Sequence, residues 1–271
     1  LSSNKSNQSA KAFFTGFTGI IIPVIIAVAV CIYLFVLGSP ANFEGGDPHN
    51  HPLPGNFLGI VYKGGIIVPI ILSLLMMVIT FFIERYITLK KATGHGSVSL
   101  FVKNIHGLIA KKEFDQAIVL CDKQRGSVAN VIKTGILKFR ELIDVKEMSR
   151  DQKVVAIQKE IEEATSLELP MLEQNLVIIS TIASIGTLFG LLGTVVGMIK
   201  AFSALAQAGA ADSVALSNGI SEALINTALG ISTSALAIIS YNYFTTKIDG
   251  LTYSIDEAGY SIVQNFVAQH K

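Results

Sequence analysis

The 271 residues are 51% hydrophobic and only 15% charged, with a net charge of +1 and no Trp. A soluble chain carries about 25% charged residues, so this composition lacks water-facing surface and points to a membrane protein. The near-zero charge excludes a global basic field for nucleic acid. Cys31, Cys121 and the five His form neither a disulfide framework nor a metal-ligand pattern.

Residues 1–16 are polar and carry Lys5 and Lys11 without an acid, and read as a cytoplasmic tail. Residues 17–37 form an uncharged run, FTGIIIPVIIAVAVCIYLFVL, and about 20 such residues cross the hydrocarbon layer. The run exceeds a signal-peptide core and no A-x-A-like site follows it, so a membrane helix is the reading, with Pro23 tolerated inside it. Residues 38–63 are rich in Gly and Pro and read as an extramembrane loop. Asp47, His49 and His51 are read as solvated loop residues rather than a metal site.

The next span is expected at 64–89, ending in Glu84-Arg85. Residues 90–172 are highly charged, with apolar positions at helical spacing: Phe114, Ile118, Leu120 and Cys121, then Val131, Ile132, Leu137 and Phe139. Ser149-x-x-Gln152 reads as a capping box opening a long helix with Val154, Ile157, Ile161, Ala164 and Leu167 on one side and a bend at Pro170. The block reads as a small cytoplasmic helical domain. A third span is placed at 173–205, a link with Asp212 at 206–213 and a fourth span at 214–246. Residues 247–271, with Ile248, Leu251, Ile255, Ile262 and Phe266 near heptad spacing, read as a cytoplasmic amphipathic helix. The fold class is all-α and multi-span. Lys and Arg gather in 84–172, so four spans with both termini and that block in the cytoplasm, and both links outside, fit the charge distribution.

The last two spans are more than anchors. Gly186, Gly190, Gly193 and Gly197 fall within about 60° of one another on a helix, a face that lets another backbone approach closely. Beside it, Ser180, Thr187 and Thr194 recur every seven residues, a hydroxyl row expected on a pore or inter-subunit face. The fourth span carries Glu222. A carboxylate inside a span is costly and must face protein or water, which makes it a functional candidate. Asn226 and Thr233 lie within about 40° of it on the helix, and Thr227 with Ser234 forms a second polar row. If the span starts later, Glu222 instead sits at the interface, where it costs little.

The segments GLLGTVVGMIKAF (190–202), GISEALINTALG (219–230) and YN (241–242), in this order and spacing, resemble the paired-helix signature of the ExbB/TolQ/MotA family, most strongly its ExbB/TolQ branch. The resemblance covers about 64–271 and departs from the family pattern where Thr187 and Leu236 replace prolines. The 17–37 span is additional to the usual three-span plan. The resemblance implies a bacterial inner-membrane homo-oligomer, a pentamer, whose pore encloses helices of a single-span partner similar to ExbD, TolR or MotB with an intramembrane Asp. Work then passes to a periplasm-spanning protein similar to TonB or TolA. It places Thr194, Thr227 and Glu222 in the proton path; the helix spacing adds Ser180, Thr187, Asn226 and Thr233 as supporting pore polar groups. No nucleophile–base pair, phosphate loop or metal cluster stands in the sequence, so neither enzyme activity nor a cofactor is expected. The leading implication is an ExbB-like channel powering outer-membrane active transport, with a TolQ-like channel for envelope maintenance or a motor stator as close alternatives; Glu222 argues against the MotA branch but does not separate ExbB from TolQ. A non-conducting membrane scaffold, with Glu222 paired to a fixed cation, is the reading from another class.

Overall fold

The computed structural model describes residues 19–48, 50–143, 145–207 and 213–269. The tail 1–16, His49, His270 and the 208–212 part of the link, with Asp212, lie outside the described residues. The described residues form helices α1 (Gly19–Leu37), α2 (Phe57–Tyr62), α3 (Ile67–Thr93), α4 (Val98–Ala110), α5 (Phe114–Gln124), α6 (Gly126–Ile143), α7 (Arg150–Glu173), α8 (Leu176–Gln207) and α9 (Ser213–Gln269). Among the described residues, four helical stretches are long and apolar enough to cross a membrane. The chain divides into two compact units, one of Leu1–Phe82 with Val177–Ser240, the other of Ile83–Leu176 with Tyr241–Lys271.

In the first unit α1 ends in a π-turn, Ile32–Leu37, closed by Gly38. The carbonyls freed there are not left to solvent: the buried Asn42 amide donates to Val36 O at 2.8 Å and Leu37 O at 2.9 Å. The segment 38–63 is therefore a folded cap rather than an open loop. Its glycines supply turns with positive φ at Gly45, Gly46 and Gly55. Phe43 bridges to Pro52, and Asn56 caps α2 by accepting from Gly59 N at 3.1 Å. Tyr33 of α1 stacks on Tyr62 with centroids 4.7 Å apart, above a cluster of Leu37, Val61 and Val68.

The second unit is a bundle of α4–α7 with the ends of α3 and α9. Both bonds of the capping box at Ser149 and Gln152 are formed, and α7 continues through Pro170 to Glu173. Ile157 and Ile161 of α7 are buried, but Leu167 is exposed, and so is Leu137 of α6, whose place in the core is taken by Ile136. Ile248, Leu251, Ile255, Ile262 and Phe266 all turn inward. Phe266 meets Phe139 edge-on at 4.9 Å, and Phe139 meets Phe114 at 4.9 Å. Gly135 makes the close approach possible, since a Cβ there would lie 2.8 Å from Ile161 and 3.2 Å from Ile262. The stretches expected at 214–246 and 247–271 belong to one unbroken helix, α9, within which the two units divide between Ser240 and Tyr241. No Pro interrupts its hydrogen-bond ladder, and the Asp249-Gly250 pair is carried inside the helix.

Arg85 is the largest side chain buried in this unit, with no exposed surface. Its guanidinium grips the Glu84 carboxylate (Nε–Oε2 2.7 Å) and donates to Met171 O at 3.2 Å and Leu172 O at 3.4 Å. Glu84 also accepts from Asn175 at 3.2 Å. The end of α3 is thereby tied to the α7–α8 turn, where Asn175 takes a left-handed φ of 63°.

Candidate functional site

The site lies within the first unit, where α8 and α9 run side by side in opposite directions. Gly186, Gly190, Gly193 and Gly197 are all buried against α9. A Cβ at Gly190 would lie 3.2 Å from Asn226 O, and one at Gly197 2.6 Å from Gly219 O. The closeness is reciprocal: a Cβ at Gly230 would lie 2.6 Å from Gly186 O. The face that lets another backbone approach closely is thus filled within the chain by its own α9.

This contact decides which side of α9 turns inward. Glu222 (7% exposed), Asn226 (0%), Thr233 (1%) and Ser240 (6%) form one buried polar stripe. Asn226 Nδ2 donates to Gly64 O at 2.7 Å, while its Oδ1 and the Ser234 Oγ are buried with no hydrogen-bond partner among the described residues. Such groups are costly and uncommon in folded chains.

Glu222 does not stand alone. Lys200 Nζ of α8 donates to its Oε1 at 2.6 Å, with the Lys side chain 53% exposed and the Glu side chain 9% exposed. Gly65, at φ +73°, forms the wall behind the carboxylate, and a Cβ there would lie 2.5 Å from Oε1.

The three residues assigned to the proton path are placed apart in their bonding. Thr194 Oγ1 donates to Leu191 O at 2.6 Å within its own helix, beside an apolar groove lined by Val195, Met198 and Phe202. Thr227 Oγ1 donates to Ala223 O at 3.0 Å and reaches toward Gly190 O at 3.5 Å, the outer limit of a hydrogen bond. Both hydroxyls bond to backbone rather than to the carboxylate, the ordinary habit of Ser and Thr in membrane helices. Ser180 and Thr187 are exposed on α8, whereas Asn226 and Thr233 are interior.

Lys200 and Gly65 are absent from the set that the sequence points to. Their signal is the helix register: with Gly190 and Gly193 on Asn226, and Gly197 on Ala223, the next turn of α8 brings residue 200 to Glu222.

A model of the MotA/TolQ/ExbB proton channel family matches residues 125–257. The Tol-Pal system protein TolQ of Pseudomonas aeruginosa is 30% identical over 145 residues, 54% of this chain and 62% of that protein. The putative biopolymer transport protein ExbB-like 3 of Synechocystis sp. is 36% identical over 86 residues, 31% of this chain and 41% of that protein. The biopolymer transport protein ExbB of Pseudomonas putida is 31% identical over 86 residues, covering 32% and 26% of the two chains. The matches thus span well short of the relatives' full lengths, and TolQ and ExbB names occur at comparable identity.

Proposed function

Because this chain belongs, through residues 125–257, to the MotA/TolQ/ExbB proton channel family, whose members are channels rather than enzymes, we propose that it is an ExbB-like subunit of an inner-membrane energy-transducing complex. In this reading it forms a homo-oligomer, a pentamer, around a single-span ExbD-like partner with an intramembrane Asp. The proton motive force then energises a TonB-like protein for outer-membrane transport. A TolQ-like role in envelope maintenance is carried by the same motifs. Proton flow suffices energetically: one charge across 100 mV releases about 2.3 kcal/mol, and one pH unit adds about 1.4 kcal/mol.

The observation that carries the reading is Glu222, a carboxylate 7% exposed within an apolar helix. The hydroxyls of Thr194 on α8 and Thr227 on α9 can each donate and accept a hydrogen bond, which suits a relay. Glu222→Gln keeps shape and most hydrogen bonding but removes the titrating group. In liposomes holding the protein with its co-purified single-span partner, it should abolish proton uptake while leaving oligomer and partner binding intact. Thr194→Val and Thr227→Val should each slow uptake, and the double variant should depart from additivity by more than roughly 0.5 kcal/mol if they share a path. Wild-type uptake in Glu222→Gln removes the titrating role.

One observation favours the non-conducting scaffold: the Lys200–Glu222 ion pair at 2.6 Å supplies the cation such a role requires. The same Glu222→Gln measurement separates the two, since a scaffold keeps its partner-driven output unchanged.

The proposed orientation has four spans, both termini cytoplasmic, segment 38–63 periplasmic and 90–172 cytoplasmic. The native Cys121 cannot report it, because it is 2% exposed and burial pushes its thiol up to about 12. Single cysteines at the exposed Asn50 and Lys123, in a Cys31→Ser background, serve instead. An impermeant maleimide on intact spheroplasts should label the first and spare the second, and Cys121 should stay unlabelled even after permeabilisation. Labelling of position 123 from outside inverts the orientation.

A further inference from the structure

We propose that Lys200 is a swinging counter-ion for Glu222, a positioning residue that holds the carboxylate charged at rest and withdraws each time Glu222 takes up a proton. The inference rests on the proton-channel reading above and assigns a function to a residue outside its path.

The two partners are held unequally. The carboxylate is enclosed: Glu222 is buried, and its Oε1 fills the space at Gly65 where a Cβ would lie 2.5 Å away. One turn on, Asn226 is anchored to Gly64 O at 2.7 Å. Lys200 comes from the other helix on a flexible four-carbon stem, and its side chain is 53% exposed against 9% for Glu222. A half-exposed ammonium contributes little to stability, so the pair is poorly suited to serve as a structural post alone. Here one charge is walled in and the other lies open at the surface of the chain on a flexible stem, as Lys side chains in spans do.

The charges dictate the sequence of events. At rest the ammonium neutralises the carboxylate. When a protonated water in the path gives up a proton, its O–H bond breaks and a new O–H bond forms on a Glu222 oxygen; the carboxyl becomes neutral and the ammonium keeps its three protons. An ammonium beside a neutral carboxyl has lost the attraction that held it, so it moves to its exposed position. When the proton passes to the next acceptor, the carboxylate is charged again and draws the ammonium back. Each proton passage is therefore one release and one return of Lys200.

The test compares Lys200→Gln, Lys200→Arg and Lys200→Gln/Glu222→Gln with wild type, each reconstituted with the co-purified single-span partner. Proton uptake and the infrared absorption of protonated carboxyl groups are both read. Without its counter-ion a buried carboxylate neutralises itself, so Lys200→Gln should show a protonated-carboxyl band that wild type lacks and that Glu222→Gln removes, with uptake down at least about tenfold. Lys200→Arg keeps the charge and should lack the band, with uptake within about threefold of wild type. A Lys200→Gln protein with no such band, or with wild-type uptake, overturns the proposal. If Lys200→Gln does not assemble, Lys200→Arg decides: the band in that variant, or uptake as low as in Glu222→Gln, overturns it equally. A wild-type complex that passes no protons defeats the channel reading instead, and the infrared comparison still decides whether Lys200 holds Glu222 charged.

Discussion

Gly193→Leu is expected to prevent the α8–α9 pair from forming, and Gly193→Ala to weaken it measurably. A Cβ at Gly193 would lie 2.2 Å from the Asn226 Cβ and 2.7 Å from its Cγ. No side chain there can avoid Asn226 by rotating, because the clash is with the first carbon. Asn226 cannot yield cheaply either, since it is fully buried and its amide holds Gly64 O at 2.7 Å. Overpacking of this kind costs about 1–3 kcal/mol for one added carbon and more for a Leu. Gly250 provides the contrast. It lies in the interior of α9 with nothing within 4 Å of its Cβ position, so Gly250→Ala should stabilise by about 0.5–1 kcal/mol through helix propensity alone. Thermal melts in detergent followed by far-ultraviolet circular dichroism separate the two. A Gly193→Ala protein that melts with wild type would mean that α8 and α9 do not pack through this face.

Arg85→Ala is expected to be among the most damaging single changes in the second unit. It removes a guanidinium with no exposed surface and leaves the Glu84 carboxylate without its partner and the carbonyls of Met171 and Leu172 without their donor. Breaking a buried pair from one side costs about 3–5 kcal/mol. At about 2–4 °C per kcal/mol for a chain of this size, the melting temperature should fall by roughly 6–20 °C. Arg85→Lys should recover only part of this, since an ammonium cannot reproduce the planar fork. Glu84→Gln/Arg85→Met should recover more than either single change, because no uncompensated charge remains. A shift below about 2 °C for Arg85→Ala would show the pair to be dispensable.

Local signals are legible in the sequence. The capping box at Ser149 needs only residues three apart, and the stripe from Ile248 to Phe266 needs only a repeating period. Leu137 and Leu167 show where period alone fails. Each is apolar at a plausible phase, but the neighbouring helices reach Ile136 and stop short of Leu167. The candidate site is legible in its residues and not in its pairings. Glu222 is visible as a carboxylate in an apolar run. Lys200 stands in plain sight in the 190–202 motif, yet its partner depends on how α8 slides along α9, which the glycine spacing fixes only once both helices are placed together. The folded cap at 38–63 is hidden for a different reason: its order comes from single contacts such as Asn42 to the α1 carbonyls, which leave no periodic trace.

The unbroken course of α9 constrains how the gene can change length. Going down the helix from Glu222, the inward residues Asn226, Thr233 and Ser240 continue without a change of face into Phe244, Ile248, Leu251, Ile255, Ile262 and Phe266, all buried. At 100° per residue they stay within about 80° of one another. A single-codon insertion or deletion near Asn242 would turn every later residue by about 100°, so the polar stripe and the apolar stripe could no longer both face inward. A seven-codon change would turn them by only about 20°. Length variation in this stretch is therefore expected to come in whole heptads, as though the reading frame of the helix were counted in sevens.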